Sequence, residues 1–325
     1  MRVPVVDVTS LVRGTGDRAR TAREIDAACR DTGFFSIVGH GVDPALGSRL
    51  DALARELFAL PEEEKAAIAM ERGGRAWRGW FPLGGELTSG APDWKEGIYF
   101  GTELPDSHER VRAGTPLHGA NLFPARPEGL HDAVLAYLDA LTSLGHALAS
   151  GLALALGLDE HWFSRELTAE PLVLFRVFRY PPAPPRAWGV GEHTDYGLLT
   201  ILRQDDAGGL EVRSRSGWVE VGPEPDAFVC NLGDMLERMT RGRYRSTPHR
   251  VRNPGGRDRI SLAFFFDPDW DARVRPVPRV ADPAPPADAT ARWDGRSVHD
   301  PTGTYGEYLL EKVSKVFPGL SDDVL

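Results

Sequence analysis

The feature that most constrains this chain is a series of short, strand-length segments in its second half. Glycine, proline, asparagine and aspartate separate these segments, which are 172–180, 197–203, 209–212, 218–221, 227–231, 244–251 and 259–267. Short strands at such intervals are typical of an antiparallel sandwich or barrel. The 35 glycines and 26 prolines among 325 residues also argue against a helical bundle.

Helical periodicity is concentrated outside this region. Apolar residues recur at steps of three and four from residue 127 to 157, which predicts one long helix that packs a single stripe against a wide surface. Further predictions are a strand at 3–8, a helix at 17–32, a buried strand at 34–38, helices from 43 and from 61, loops over 73–121, an irregular crossing at 274–302 and a helix at 305–316. We therefore predict an α+β fold, mainly β, with a sandwich braced by helices.

Composition narrows the class of function. The formal net charge of −9 argues against a nucleic-acid partner, because phosphate binding normally draws on a surplus of lysine and arginine. Cys29 and Cys230 lie far apart in apolar surroundings, which favours a reducing cytoplasm over a disulfide framework. The longest apolar run, 151–158, is too short to span a membrane. We expect a soluble, cytoplasmic protein with no membrane, nucleic-acid or obligate protein partner.

A Gly-x-Gly-x-x-Ala sequence at 14–19 fits the dinucleotide fingerprint. It lies too far from the preceding strand, and no parallel βαβ pattern continues, so a plain loop is the better interpretation. The chain has no Gly-x-Ser-x-Gly, His-Glu-x-x-His, Cys-x-x-Cys or Walker-type sequence. The common hydrolase, zincin and NTPase interpretations are thereby removed.

The strongest chemical signal is the pair His193 and Asp195, taken with His249. Residues i and i+2 of an extended chain face the same side, so the pair can bind one metal ion. His249, within a predicted strand, would complete a facial triad of two histidines and one carboxylate, which suits Fe(II) and leaves coordination positions open. Zinc would accept these donors but prefers tetrahedral sites with a third nitrogen or sulfur. The competing interpretation, ordinary polar residues at a sheet end, loses weight because of the residues that follow.

Arg259 and Ser261 share one face of a strongly apolar strand by the same rule. A forked guanidinium and a hydroxyl together suit a carboxylate, and a buried arginine needs an anionic partner. That partner is either an internal acid or an acidic small molecule. Tyr180 could add a phenol to the same anion.

In this combination of motifs the chain resembles the isopenicillin-N-synthase-like group of Fe(II)/2-oxoglutarate-dependent oxygenases. The hallmark is His-x-Asp, a later histidine, and Arg-x-Ser ten residues after it. The resemblance extends over nearly the whole chain through the segments 3–7, 33–42, 78–80, 95–96, 179–181, 204–206, 231–234 and 305–309.

The resemblance implies a double-stranded β-helix, or jelly roll, with an N-terminal region over 1–120 and the oxygenase core over 121–325 in one compact unit. It implies that His193, Asp195 and His249 bind Fe(II). Arg259 and Ser261, with Tyr180 as an extra contact, would bind 2-oxoglutarate, and O2 would be the oxidant. The expected reaction is oxidation of a small-molecule substrate, most often hydroxylation in secondary metabolism, with release of succinate and CO2. Desaturation, ring closure and epoxidation would use the same residues.

Two alternatives remain open. Some family members, including isopenicillin N synthase, use Fe(II) and O2 without 2-oxoglutarate, although the C-terminal glutamine of that enzyme has no counterpart here, because Gln204 is the only glutamine. A non-catalytic jelly roll that binds a small acid is the alternative of another class. Phe100 and Phe265 are candidates for substrate contact, with core packing as the competing role. Arg78 and Arg186 hint at an acidic substrate, against a solvated surface role.

Overall fold

The computed structural model describes residues 3–184, 187–253, 255–278, 292, 295–299 and 303–317, so Arg186 and most of the crossing at 274–302 lie outside the described residues. The strands are β1 (Val5–Asp7), β2 (Phe34–Val38), β3 (Gly79–Phe81), β4 (Glu96–Gly101), β5 (Leu172–Tyr180), β6 (Val190–His193), β7 (Leu199–Gln204), β8 (Leu210–Ser214), β9 (Gly217–Val221), β10 (Phe228–Leu232), β11 (His249–Val251) and β12 (Arg259–Asp267). The helices are α1 (Thr9–Arg13), α2 (Arg18–Asp31), α3 (Pro44–Phe58), α4 (Glu62–Ala66), α5 (Glu109–Arg112), α6 (Leu130–Ala155), α7 (Trp162–Glu166), α8 (Asp234–Met239) and α9 (Tyr305–Val316), with a 3-10 helix at Met70–Ala76.

Two sheets form the jelly roll. The major sheet has eight strands in the order β1-β2-β10-β7-β12-β5-β4-β3, and the minor sheet has four in the order β6-β11-β8-β9. Every pairing between these strands is antiparallel except that of β1 with β2. The predicted jelly roll, mainly β with bracing helices, is confirmed.

Both edges of the major sheet come from the first part of the chain. Strands β1 and β2 add to one edge beside β10, and β3 and β4 add to the other edge beside β5. The stretch 73–121, predicted to be rich in loops, also contains these last two strands. The register of β4 on β5 places Tyr99 opposite Arg176 and Gly97 opposite Phe178. A side chain at Gly97 would clash with the rings of Phe81 and Phe178, so this edge requires glycine there.

Helix α6 is the predicted long helix, shortened at both ends. It contacts α2, α3, β5, β7 and β12, and half of its positions are buried. By length and composition alone α6 could cross a membrane, but half of its most apolar window is covered by the rest of the protein. The stripe is therefore accounted for by packing on neighbouring helices and on the sheet.

The predicted strand at 244–251 is shorter than expected. Only His249–Val251 pairs in a sheet. Upstream, Tyr244 donates its hydroxyl to Asp26, and Glu237 accepts from the backbone N–H of Ser246 at 2.7 Å. These side-chain bonds replace a ladder, so the segment stays irregular up to the last residues before the strand.

Candidate active site

The minor sheet brings the three predicted metal ligands together. His193 ends β6 and lies directly opposite His249 of β11, while Asp195 follows two residues later. The Oδ1 atom of Asp195 is 3.7 Å from the Nε2 atom of each histidine. The three donor atoms lie within 4.8 Å of one another and point to one position.

Backbone carbonyls orient both imidazoles. The Nδ1–H of His193 donates to the Gly191 carbonyl at 2.8 Å, and that of His249 donates to the Thr247 carbonyl at 3.1 Å. With Nδ1 protonated, Nε2 of each neutral ring keeps its lone pair for a metal. Burial and the neighbouring His249 lower the pKa of His193 far below 6.5, which keeps that ring neutral.

The carboxylate of Asp195 is fixed on its other oxygen. Oδ2 accepts from Thr200 Oγ1 at 2.5 Å and from Asn231 Nδ2 at 2.6 Å. Burial alone would raise the pKa of Asp195, but the two imidazoles and these hydrogen bonds lower it overall. Oδ1 is thereby left charged and aimed at the histidines.

Arg259 lies in the same cavity, completely buried at the start of β12. Its Nε donates to the Gly208 carbonyl at 2.6 Å and one terminal nitrogen donates to Gln204 at 3.3 Å, while the other terminal nitrogen, NH1, has no hydrogen-bond partner. The ring of Tyr180 lies 4.8 Å from the guanidinium carbon. Among the described residues, no carboxylate pairs with Arg259, so its charge is uncompensated.

Ser261 and Tyr180 lie beside this guanidinium. Tyr180 is paired with Arg259 across β5 and β12, and Ser261 Oγ donates to the Tyr180 hydroxyl at 3.3 Å. All three residues and the three metal ligands line one cavity. The structure thus brings together every residue predicted for the metal and for the cosubstrate.

Of the residues predicted to contact the substrate, the structure places one in this cavity. Phe265 lines the cavity, but Phe100 is buried in the core, where it stacks on Phe123 and Phe175. Arg78 does not line this cavity and is not solvated: it is 1% exposed, and it donates to Asn121 and to the Leu117 carbonyl. The structure therefore does not place Phe100 or Arg78 with the metal ligands, and Phe100 has the core-packing role that was the alternative for it.

The cavity also contains polar groups that the sequence does not predict. Arg176, Glu86 and Lys95 line it, together with Asp267 at the end of β12. Glu86 and Lys95 lie within 73–121, where the sequence predicts mainly loops, and nothing in the sequence distinguishes Arg176 from the other arginines. Thr200 lies in the predicted strand 197–203 and Asn231 in the family segment 231–234, but the sequence alone indicates no role for either.

The donor set fits a resident Fe(II) ion, and the uncompensated Arg259 fits an acidic cosubstrate. Two imidazoles and one carboxylate would occupy one face of an octahedral ion and leave the opposite face open. When bound, iron with 2-oxoglutarate supplies the oxidising power for attack on a C–H bond. The protein contributes orientation, charge and a cavity lined mostly by buried side chains.

Comparison with family models identifies both parts of the chain. Residues 3–126 match the N-terminal model described as non-haem dioxygenase in morphine synthesis, and residues 170–268 match the 2OG-Fe(II) oxygenase superfamily. The two matches together take in the edge strands as well as the metal and Arg259 positions.

Relatives that match over nearly their whole length indicate the same family. A protein described as a probable iron/ascorbate oxidoreductase from Dictyostelium discoideum is 45% identical, over 100% of this chain and 97% of the relative. The 1-aminocyclopropane-1-carboxylate oxidase of Dictyostelium mucoroides is 34% identical (98% and 95% covered), and a homoarginine-6-hydroxylase of Arabidopsis thaliana is 33% identical (97% of each).

A solved structure shares the fold and holds the cosubstrate. A full-length protein of Neurospora crassa, crystallised in complex with 2-oxoglutarate, superposes with a TM-score of 0.79 at 25% identity, over 96% of each chain. Motifs, metal site, relatives and fold therefore agree, and the chain belongs to the 2OG-Fe(II) oxygenase superfamily as a 2-oxoglutarate-dependent non-haem iron dioxygenase.

Proposed function

We propose that this enzyme hydroxylates a small molecule, and that Arg259, Ser261 and Tyr180 bind the distal carboxylate of 2-oxoglutarate. The observation that carries the second part is the uncompensated charge of Arg259. A fully buried guanidinium is expensive without an anion. Its partners are one carbonyl and one amide oxygen, both neutral, and NH1 is left to donate into the cavity.

The residues of the cavity have separate roles in binding the cosubstrate and the metal. Arg259 and Ser261 donate to the carboxylate and set how far the acid extends toward the metal. The neutral tautomers of His193 and His249 and the anchored Asp195 keep the metal position preorganised. The relative described as homoarginine-6-hydroxylase supports hydroxylation as the outcome.

A second candidate is an oxidase that takes no 2-oxoglutarate, which the similarity to a 1-aminocyclopropane-1-carboxylate oxidase keeps in view. The only glutamine of the chain, Gln204, does not lie with the metal ligands; it accepts from Arg259 and donates to the Val221 carbonyl. Gln204 thus lies beside Arg259, at the end of the cavity where we propose that the acid binds. A non-catalytic binding module would have no need for an open metal face.

The test is formation of succinate from 2-oxoglutarate with Fe(II) in air. We expect slow uncoupled formation in the wild type, and a rise of ~100-fold or more in the 2-oxoglutarate KM of Arg259→Gln, since charge-assisted bidentate contacts are lost. Arg257→Gln, which removes an exposed ion pair with Asp206 nearby, is the matched control. Oxygen uptake without succinate would favour the oxidase. The absence of both oxygen uptake and succinate formation would contradict the enzyme assignment.

We further propose a cytoplasmic location and no obligate macromolecular partner. Support comes from Cys29 and Cys230, both free and buried. Burial raises the pKa of both thiols, so they are poor nucleophiles and remain reduced in a reducing compartment. Fractionation of the source cells, followed by detection of the protein in the soluble fraction, tests the location.

A further inference from the structure

Beside Arg259 and Lys95, Arg176 is a third, largely buried cation in the active-site cavity, and the metal site does not use it. It lies on β5, with Tyr99 opposite on β4 and Ala263 opposite on β12. Its guanidinium carbon is 4.4 Å from the centre of the Tyr99 ring and 4.7 Å from that of Phe265. The side chain is only 15% exposed. Two rings therefore hold the group in place without accepting a hydrogen bond.

The nearest acid does not satisfy this cation. Glu86 lies 3.7 Å from Arg176, beyond hydrogen-bond distance. One oxygen of Glu86 already accepts from the Tyr99 hydroxyl at 2.5 Å, and the other is 2.9 Å from the ammonium of Lys95. Arg176 makes no hydrogen bond to any described residue, and its Nε is buried without a partner. The planar donor edge is left for something that enters the cavity.

Position along the sheet relates Arg176 to the metal. Ala263 of β12 pairs with Arg176 of β5. Phe265, two residues further along β12, pairs with Thr200 of β7. Thr200 in turn holds Asp195. Because its guanidinium contacts the Phe265 ring, the Arg176 side chain extends along the sheet toward Thr200 and Asp195, and away from Arg259. Two strand spacings, about 10 Å, separate β5 from β7, a gap that a small molecule spans.

From these contacts we propose that Arg176 binds an anionic group of the substrate, and that the substrate is a small carboxylic acid oxidised close to that group. The proposal rests on the proposed function, since it needs a metal-centred oxidation in this cavity. A planar guanidinium binds a carboxylate through two parallel hydrogen bonds, which fixes orientation as well as position. Arg259 then holds the acid of the cosubstrate and Arg176 that of the substrate.

The test compares carboxylic acids with their neutral carboxamides. Each acid, including homoarginine, 1-aminocyclopropane-1-carboxylate and 3-phenylpropionate, is supplied beside its carboxamide, and stimulation of succinate formation above the uncoupled rate is measured. We expect that one or more acids stimulate and that the corresponding amides do not. An amide equal to its acid, or a panel in which no acid stimulates a protein that turns over 2-oxoglutarate, overturns the proposal.

Variants assign the effect to Arg176. For a stimulating acid, Arg176→Gln should raise the substrate KM ~100-fold or more, and Arg176→Lys, which keeps the charge but loses the fork, ~10-fold. The KM for 2-oxoglutarate should stay within about twofold in both, a result that a folding defect would not give. Arg213→Gln, which removes an exposed ion pair with Glu192, is the control.

The outcomes separate this proposal from the one on which it rests. If no protein forms succinate, even without substrate, the proposed function has failed. If wild type and both variants form succinate and bind acids with equal KM, the proposed function stands. Arg176 is then a structural partner of Glu86, and the substrate-anchor proposal is wrong.

Discussion

Asp267 ends β12 at the far end of the cavity, and replacing it by asparagine should change how stability depends on pH. Its Oδ1 accepts from the backbone N–H of Leu198 at 3.2 Å, and its Oδ2 accepts from the Tyr305 hydroxyl of α9 at 2.6 Å. Burial raises the pKa of Asp267 from 3.8 to about 7, more than these hydrogen bonds lower it, and the charge of Asp195 adds to the rise.

The sign follows from proton binding. Because the folded state holds the Asp267 proton more tightly than the unfolded chain, the free energy of unfolding falls as pH rises from about 4 to the folded pKa near 7. Between pH 5 and 7 the difference spans two pH units, which corresponds to about 3 kcal/mol at ~1.4 kcal/mol per unit. Asparagine resembles the protonated acid and does not ionise.

The assay is urea unfolding of the metal-free protein at pH 5 and pH 8. We expect Asp267→Asn to gain about 3 kcal/mol of stability relative to the wild type between pH 5 and pH 8, because the wild type loses stability over that range and the variant does not. Asp132→Asn makes the same chemical change on a side chain that is 83% exposed, and its stability relative to the wild type should not change between the two pH values. Equal differences at both pH values would refute the assignment of a raised pKa to Asp267.

Three further predictions test the surroundings of the metal. Asn231→Leu removes one hydrogen bond from the anchored ligand carboxylate and should weaken Fe(II) binding ~10- to 100-fold, read by titration of the absorbance of the Fe(II)·2-oxoglutarate complex. Unchanged affinity would show that this contact is dispensable. A Cβ at Gly197 would lie 1.4 Å from Asp267, so Gly197→Ala should cost ~3 kcal/mol or more in urea unfolding, whereas Gly222→Ala, with open space around it, should cost little. Phe265→Leu should raise the substrate KM while the KM for 2-oxoglutarate is unaffected, and equal rises in both would indicate a general disturbance of the cavity.

The metal and cosubstrate ends of the site were predictable because they depend on local geometry. Spacing of i and i+2 in extended chain places His193 with Asp195 and Arg259 with Ser261 wherever the strands go. His249 needed only a second strand in the same sheet. These residues carry their chemistry in patterns that the sequence displays directly.

The substrate end depends on which strands become neighbours, and no local pattern states that. Strand β4 exists through its pairing with β5, which is why Tyr99 and Arg176 meet although they are distant in sequence. Phe100 and Phe265 are the same residue type in similar apolar runs, yet one is core and the other lines the cavity. Arg78 and Arg176 differ in the same way: backbone and amide oxygens satisfy the first, and none satisfies the second.

The arrangement of the major sheet also bears on how such a chain can diversify. Glu86 and Lys95 come from the N-terminal region, and Leu309 comes from α9, whereas the metal and cosubstrate residues all lie between 180 and 261. The ends of the chain thus enclose a reaction centre that its middle supplies. Exchange of residues 79–101 between relatives would change the groups around Arg176, among them Glu86, Lys95 and Tyr99, while the metal and cosubstrate residues stay the same.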